Sequence, residues 1–256
     1  MSLLEVHNLS VRYGDHVILD GIDFSVEENQ WLMIVGPNGA GKSTIVRVIS
    51  QGVPYTGRVL YNGADVSTMK PTLRARKIGV LSQNHHVSYS FTVEEIVRLG
   101  RYSHSPSFFS QNTDRDNEAV QDALTVTGML SHRTQSVLTL SGGELQRTFL
   151  AQVFAQEPNL LILDEPSNHL DICFQKVVFE LIKEWVSQPG RAAISVVHDL
   201  SLARAYGSDF LLLNKGHVVD HGKADSVFTR KNLEMVYSVD VYAWMYLMLS
   251  QWVDKE

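Results

Sequence analysis

Cysteine is almost absent from this chain: its 256 residues contain one, Cys173. No disulfide framework can form within it, and a reducing compartment is expected. Long hydrophobic runs are also missing. A bilayer span needs about 18 consecutive apolar residues. The longest uncharged apolar stretch here, Val241 to Val253, covers 13. The first residues, Met1 to Val6, show neither a basic segment nor an apolar one, so no signal peptide is expected. Positive charge is in deficit, with 22 Lys and Arg against 28 Asp and Glu, a net charge of −6. An acidic chain is a poor candidate for binding held by nucleic-acid phosphates, and no nucleic-acid partner is expected. The basic group Lys70, Arg74, Arg76 and Lys77 reads as a solvated face before a strand. Hydrophobic residues at 44% and charged residues at 20% are ordinary for a globular protein large enough to bury a full core.

What is present is an ordered series of short strands and helices. Leu3 to Tyr13, Val17 to Val26 and Trp31 to Val35 are rich in β-branched and aromatic residues. Trp31 to Val35 is apolar throughout, as in a strand covered on both faces. A glycine-rich turn and a helical stretch from Ser43 to Ser50 follow, then strands at Arg58 to Tyr61 and Ile78 to Leu81. Thr92-Val-Glu-Glu95 has capping-box spacing and opens a helix through about Arg101. Tyr102 to Asn112 reads as loop, and Ala119, Val120, Ala123, Leu124 and Val126 mark one face of another helix. Strands return at Leu160 to Leu163 and Ala192 to Val197, with a helix from Ile172 to Trp185 between them, an order that implies a parallel sheet. Phe210 to Leu213 and His217 to Asp220 read as a hairpin turned at Lys215-Gly216.

Three motifs carry chemistry. Gly36-Pro-Asn-Gly-Ala-Gly41-Lys42-Ser43 is a complete phosphate-binding loop placed after a strand and before a helix. Such a loop points backbone N–H groups at phosphate oxygens, and the helix behind it adds its positive end. Lys42 is expected to reach the β- and γ-phosphates, and the Ser43 hydroxyl to bind Mg²⁺. Leu160-Leu-Ile-Leu-Asp164-Glu165 ends an apolar strand in two carboxylates. Asp164 suits the position near Mg²⁺. Glu165, expected to point the opposite way off the strand, suits a general base facing a water. Leu140-Ser141-Gly142-Gly143-Glu144 opens a helix running from Leu145 to Gln156. Ser141 and Glu144 form a capping box that needs no ligand. The two glycines between them, each costing about 1 kcal/mol against Ala in a helix, suggest a second anion site.

These motifs, in this order and followed by a lone His198, resemble the ATPase subunits of ABC transporters over about residues 3–236. The resemblance implies an α/β fold: a P-loop NTPase core of mixed sheet with an antiparallel β subdomain, plus an inserted α-helical subdomain. Residues 1–240 would then be one ABC ATPase domain, with its core in 1–84 and 158–240, the helical subdomain at about 85–157, and an apolar tail over 241–256. The cofactors implied are ATP and Mg²⁺. The ATP-binding residues implied are Gly36, Asn38, Gly39, Ala40, Gly41, Lys42, Ser43 and Thr44, with Tyr13 stacking on adenine. Gln83 matches the glutamine that touches Mg²⁺ and the attacking water, beside Ser43 and Asp164. Glu165, His198, Gln83 and Lys42 would carry catalysis, His198 at the γ-phosphate. Leu140, Ser141, Gly142, Gly143 and Glu144 match the signature that closes over the ATP of a second copy, although Glu144 stands where Gln is common. Asp171, in Ser167-Asn-His-Leu-Asp171, matches the aspartate linking the two sites.

A further lean follows from His169-Leu-Asp-Ile172-x-x-Gln175, from Ile96-Val-Arg-Leu-Gly-Arg101 after Thr92, and from the spacing to Leu140. These resemble importers of iron-siderophores, heme and vitamin B12. A zinc or manganese transporter ATPase and a soluble ABC ATPase that clamps a macromolecule are the alternatives. The importer reading implies a head-to-tail homodimer around ATP, separate integral-membrane permease subunits, an indirect link to a substrate-binding protein, and a peripheral location on the cytoplasmic face of the cell membrane. The pairs His85-His86 and His217/His221 are read as unrelated to metal binding. The tail from Val241 to Val253 is read either as an element docked on the core or as a contact with the second copy or a membrane partner.

Overall fold

Alternating buried and exposed side chains make β1 (Ser2–Tyr13) and β2 (His16–Glu27) an antiparallel hairpin with one face on the core. These strands open a computed structural model that describes residues 2–82, 89–104, 113–168 and 170–252. β3 (Trp31–Val35), buried at every position, leads through the glycine loop into α1 (Lys42–Ile49). β4 (Thr56–Tyr61) and the short β5 (Ala64–Asp65) complete a four-stranded antiparallel sheet in the order β2-β1-β4-β5. The basic helix α2 (Pro71–Lys77) follows, then β6 (Ile78–Leu81). Arg76 donates from Nε to the Ser103 carbonyl at 2.7 Å, so part of this basic stretch ties elements together.

Among the described residues, three α-helices enter between β6 and β7. In α3 (Val93–Arg98) the Thr92/Glu95 capping box is formed, but the α-helix stops at Arg98 and a 3-10 turn carries the chain to His104. α4 (Asp114–Val126) is capped in the same way by Thr113 and Asp116. α5 (Gly142–Ala155) starts three residues earlier than its apolar face suggests, because the Ser141/Glu144 box admits both glycines into its first turn. Arg101, buried, joins these pieces: it bonds Asp116 Oδ1 at 2.8 Å, the Ala155 carbonyl at 2.8 Å and Glu157 Oε2 at 2.7 Å.

β7 (Leu160–Asp164), α6 (Ile172–Val186) and β8 (Ala192–Val196) form the expected βαβ unit. α7 (Leu200–Tyr206) and the hairpin of β9 (Asp209–Asn214) and β10 (His217–Gly222) follow. The larger sheet has the order β10-β9-β3-β8-β7-β6, parallel except for β10. Its two faces head two cores. Leu32 and Ile34 of β3 face a core shared with the antiparallel sheet and α1, whereas Trp31, Met33 and Val35 face one shared with the helices. Trp31 keeps its indole N–H satisfied inside this core by donating to Ser195 Oγ at 2.8 Å.

The chain then forms α8 (Ala224–Val227), α9 (Arg230–Tyr237) and α10 (Val241–Leu249). The apolar tail is a helix, and one side of it docks on the core. Val241 is buried and Met245 packs against the core, while Tyr246, Leu247 and Trp252 stand exposed. No described helix is long and apolar enough to cross a membrane.

Candidate active site

Parallel pairing brings the carboxyl ends of β3, β7 and β8 side by side: Ile34 pairs with Val196, and Val196 with Asp164. The phosphate loop, the carboxylate pair and His198 all emerge at this edge, where open parallel sheets bind their ligands. A cavity of about 550 Å³ opens there, lined by Asn38, Gly39, Gly41, Lys42, Ser43, Thr44, Glu165 and His198, and also by Ile18.

The loop takes its course because Gly36 can adopt φ 148° and approach β9 closely. A Cβ at Gly36 would lie 2.2 Å from the Leu213 carbonyl oxygen, which no other residue could accept. Lys42, buried at the start of α1, donates to the carbonyls of Gly36 at 2.7 Å and Pro37 at 2.9 Å. Burial holds its ammonium below the usual lysine range, against the pull of Glu165 and Asp164. The next side chain, Ser43, donates from Oγ to Asp164 Oδ1 at 3.0 Å. Burial chiefly, and then the Glu165 charge, hold the Asp164 carboxyl above the usual range, although the Ser43 bond works the other way.

Glu165 reaches the cavity by a different route from the expected strand alternation. It stands one residue beyond β7 with φ 55°, a left-handed conformation rare for Glu, and its N–H bonds the Val196 carbonyl at 3.1 Å. Backbone of this kind recurs at functional sites. Its Oε1 lies 2.5 Å from His198 Nε2, and its Oε2 accepts from Asn168 Nδ2 at 3.0 Å. One carboxylate thus faces the loop helix, and its neighbour faces the histidine.

Other expected residues lie elsewhere. Tyr13 ends β1 opposite His16, is 45% exposed and does not line the cavity, whereas Ile18 of the same hairpin does. Ile18 was missed because nothing in an ordinary strand residue marks it. Gly36 and Ala40 shape the loop from beneath, with Ala40 buried. Gln83, His85, His86 and His169 fall outside the described residues. Asp171 caps α6, accepting from the Phe174 N–H at 2.9 Å. His217 and His221 both lie on β10.

The signature segment Leu140 to Glu144 does not line the cavity. Ser141 N–H and Oγ both donate to Glu144 Oε2 at 2.8 Å, and these bonds hold the Glu144 carboxyl below its usual range. The two glycines, read together as an anion site, separate here. A Cβ on Gly143 would meet the Phe174 ring at 2.5 Å, so close packing of α5 on α6 explains that glycine without a ligand. Nothing lies within 4 Å of a Cβ on Gly142, so packing leaves that one unexplained.

Ser43 Oγ beside Asp164 Oδ1 is a hard-oxygen pair of the kind that holds Mg²⁺. That fits an ion which takes one or two protein oxygens and completes its shell with water and phosphate.

The ABC transporter family model matches residues 19–168, and the chain belongs to this family. It is 36% identical over 241 residues to the ABC transporter ATP-binding protein YvrA of Bacillus subtilis (strain 168), covering 94% of this chain and 54% of YvrA. The chain thus spans about half the length of that relative. It is 35% identical to the ferric enterobactin transport ATP-binding protein FepC of Escherichia coli (strain K12), covering 92% of this chain and 87% of FepC. Among solved structures, cbiO1 of Clostridium perfringens, part of the ABC transporter complex cbiONQ, superposes with a TM-score of 0.80 at 25% identity, covering 96% of this chain and 98% of that one. The class is therefore an ABC ATPase: an α/β P-loop domain whose relatives are ATP-binding subunits of membrane transporters.

Proposed function

We propose that this chain binds ATP at the cavity between the phosphate loop and the Glu165–His198 pair and hydrolyses it there to drive uptake of a metal chelate through separate membrane subunits. One observation carries the reading. A phosphate loop, an Asp–Ser oxygen pair and a Glu–His pair converge on one cavity, while the signature segment of the same chain stands outside it. A second copy facing head to tail supplies the missing signature. ATP then binds the closed pair far better than the open one, and this differential affinity moves the membrane partner.

The chain's residues divide the work. Backbone N–H groups from Asn38 to Thr44 cradle the phosphates. Lys42 exchanges its loop carbonyls for the β- and γ-phosphates. Ser43 and Asp164, joined by Gln83, would hold Mg²⁺, which neutralises charge developing on the phosphates. Glu165 accepts the proton of the attacking water. His198 orients Glu165 from 2.5 Å and contacts the γ-phosphate. Tyr13, at the end of β1, stacks on the adenine. The permease contact, the peripheral site on the cytoplasmic face and the indirect link to a substrate-binding protein belong to the same reading. Its cargo class rests on the likeness to FepC and on the Ile96–Arg101 and His169–Gln175 stretches.

Glu165→Gln tests the assignment. It should keep ATP affinity, stop turnover and trap a dimer in size-exclusion chromatography. Hydrolysis at the normal rate would show that Glu165 is not the base. Uptake of ferric siderophore, heme or cobalamin by vesicles holding the co-purified permease would identify the cargo.

A further inference from the structure

Glu165 is held by its own chain three residues on. Glu165, Pro166, Ser167 and Asn168 form a tight turn, in which the Asn168 N–H donates to the Glu165 carbonyl at 3.1 Å. Proline at the second position presets the φ that such a turn needs. The turn is anchored from beneath: Pro166 is buried, and its carbonyl accepts from Gln146 Nε2 of α5 at 3.0 Å. The Asn168 side chain returns along the same path as its backbone, and Nδ2 donates to Glu165 Oε2 at 3.0 Å. The amide nitrogen is the donor here because an ionised carboxylate can only accept. Backbone and side chain of one residue thus both end on Glu165.

The two carboxylate oxygens are held from two different segments. Oε1 lies 2.5 Å from His198 Nε2, beyond β8, and Oε2 takes the bond from Asn168, beyond β7. A bond to one oxygen leaves a carboxylate able to swing about that contact, whereas a second bond to the other oxygen fixes its plane. The distinction matters because a Glu side chain is among the costliest to order, and a general base works only while a lone pair stays on the proton it must take. His198 cannot secure this alone. Its side chain is 44% exposed, and in the ATP reading it also contacts the γ-phosphate. Asn168 is half-buried and does not line the cavity, so its bond can persist while a phosphate enters.

We propose that Asn168 is a positioning residue for hydrolysis: its amide holds Glu165 Oε2 and fixes the carboxylate plane, so that the base keeps facing the attacking water while His198 turns to the γ-phosphate. This rests on the reading of Glu165 as the base of an ATP site. It gives a role to a second residue of the Ser167–Asp171 stretch, where the resemblance assigned one to Asp171 only.

Asn168→Asp keeps the shape of the side chain and exchanges its donor for a carboxylate. Asn168→Ala removes the amide without adding charge. Near pH 8, steady-state hydrolysis of Mg²⁺-ATP should show kcat at least about tenfold below wild type in both variants, the worth of a hydrogen bond to a charged group, with KM within about twofold. Lowering the pH to about 5.5 should then separate them. The ratio of wild-type to variant kcat should narrow by at least about threefold for Asn168→Asp, because the introduced carboxyl, beside the Glu165 charge, takes up a proton and can donate a hydrogen bond as the amide did. For Asn168→Ala the ratio should stay constant. Taking the ratio cancels the titration of groups that wild type and variant share at the site, Glu165, His198, Asp164 and Lys42. An unchanged kcat in either variant would overturn the proposal. So would a loss that is equal in both and independent of pH, which would assign Asn168 to the architecture of the turn. If Glu165→Gln itself hydrolyses ATP at the normal rate, the base reading fails instead, and the two failures are distinct.

Discussion

Arg101 offers the sharpest test of how the inserted helices are held. Its side chain is 4% exposed and meets a carboxylate, Asp116, that is 9% exposed. Burial works against ionising Asp116, but the bonds from Arg101 and Thr113 outweigh it and hold the carboxyl below its usual range. Glu157, the second acidic partner, is 42% exposed and can be solvated without Arg101. Asp116 cannot. Arg101→Met therefore leaves one buried charge unpaired, a defect that costs about 3–5 kcal/mol. At about 2–4 °C per kcal/mol for a chain of this size, Tm should fall by about 6–20 °C in calorimetry. Adding Asp116→Asn keeps an acceptor for Thr113 but removes the charge, so the double variant should recover at least half of the loss. The pH dependence follows from the sign of the shift. A carboxyl whose folded pKa is depressed contributes stability above its unfolded pKa, and that contribution is lost as pH falls. The wild type should therefore lose this contribution in acid. The Arg101→Met deficit should narrow there, because its orphaned Asp116 becomes protonated. If the two single losses simply add in the double variant, or if the deficit does not depend on pH, the unpaired-charge account is refuted.

Two further perturbations separate structure from function at the site. Gly142→Ala meets open space, so Tm should shift by less than about 2 °C. In the proposed assembly this residue faces the partner's ATP, and turnover should fall at least about tenfold. Gly143→Ala drives a Cβ into Phe174 and should cost about 1–3 kcal/mol in urea unfolding even without nucleotide. Asp164 carries the opposite linkage to Asp116. Its carboxyl is raised mainly by burial, so the folded state holds a proton longer than the unfolded one, and stability falls as pH rises through that window. Asp164→Asn should therefore raise the Tm of the nucleotide-free chain at neutral pH while abolishing Mg²⁺-dependent turnover, and a lowered Tm would contradict the burial argument.

What could be read ahead of the structure was what is local. The phosphate loop declares itself because its glycines, Lys42 and Ser43 lie within eight consecutive residues, and the capping boxes at Thr92 and Ser141 span four residues each. The βαβ unit was legible because β7 and β8 are short apolar runs separated by an amphipathic helix. What escaped depends on contacts between distant segments. Ile18 reaches the cavity only because β2 passes beside Gly41 of the phosphate loop. Gly143 carries a second constraint that propensity cannot see, the Phe174 ring that leaves no room for a Cβ. Glu165 was placed by strand alternation, yet β7 ends one residue earlier and a left-handed turn aims the carboxylate.

The placement of the signature has a consequence for how two sites in one assembly would communicate. Its helix, α5, is not independent of the catalytic edge. Gln146 donates to the Pro166 carbonyl at 3.0 Å, immediately after Glu165, and Gly143 and Arg147 both lie against Phe174, two residues into the helix that Asp171 caps. A displacement of the signature end, such as a partner's ATP would impose, is therefore delivered within the same chain to the segment bearing Glu165 and Asp171. Close packing gives it no slack: the space beside Gly143 is already full, so α5 and the start of α6 must move together. Gln146→Ala in one subunit of a paired assembly should then uncouple the sites, leaving ATP affinity intact while lowering the Hill coefficient of hydrolysis toward one. A coefficient unchanged from the wild type would mean that the coupling runs through Asp171 alone.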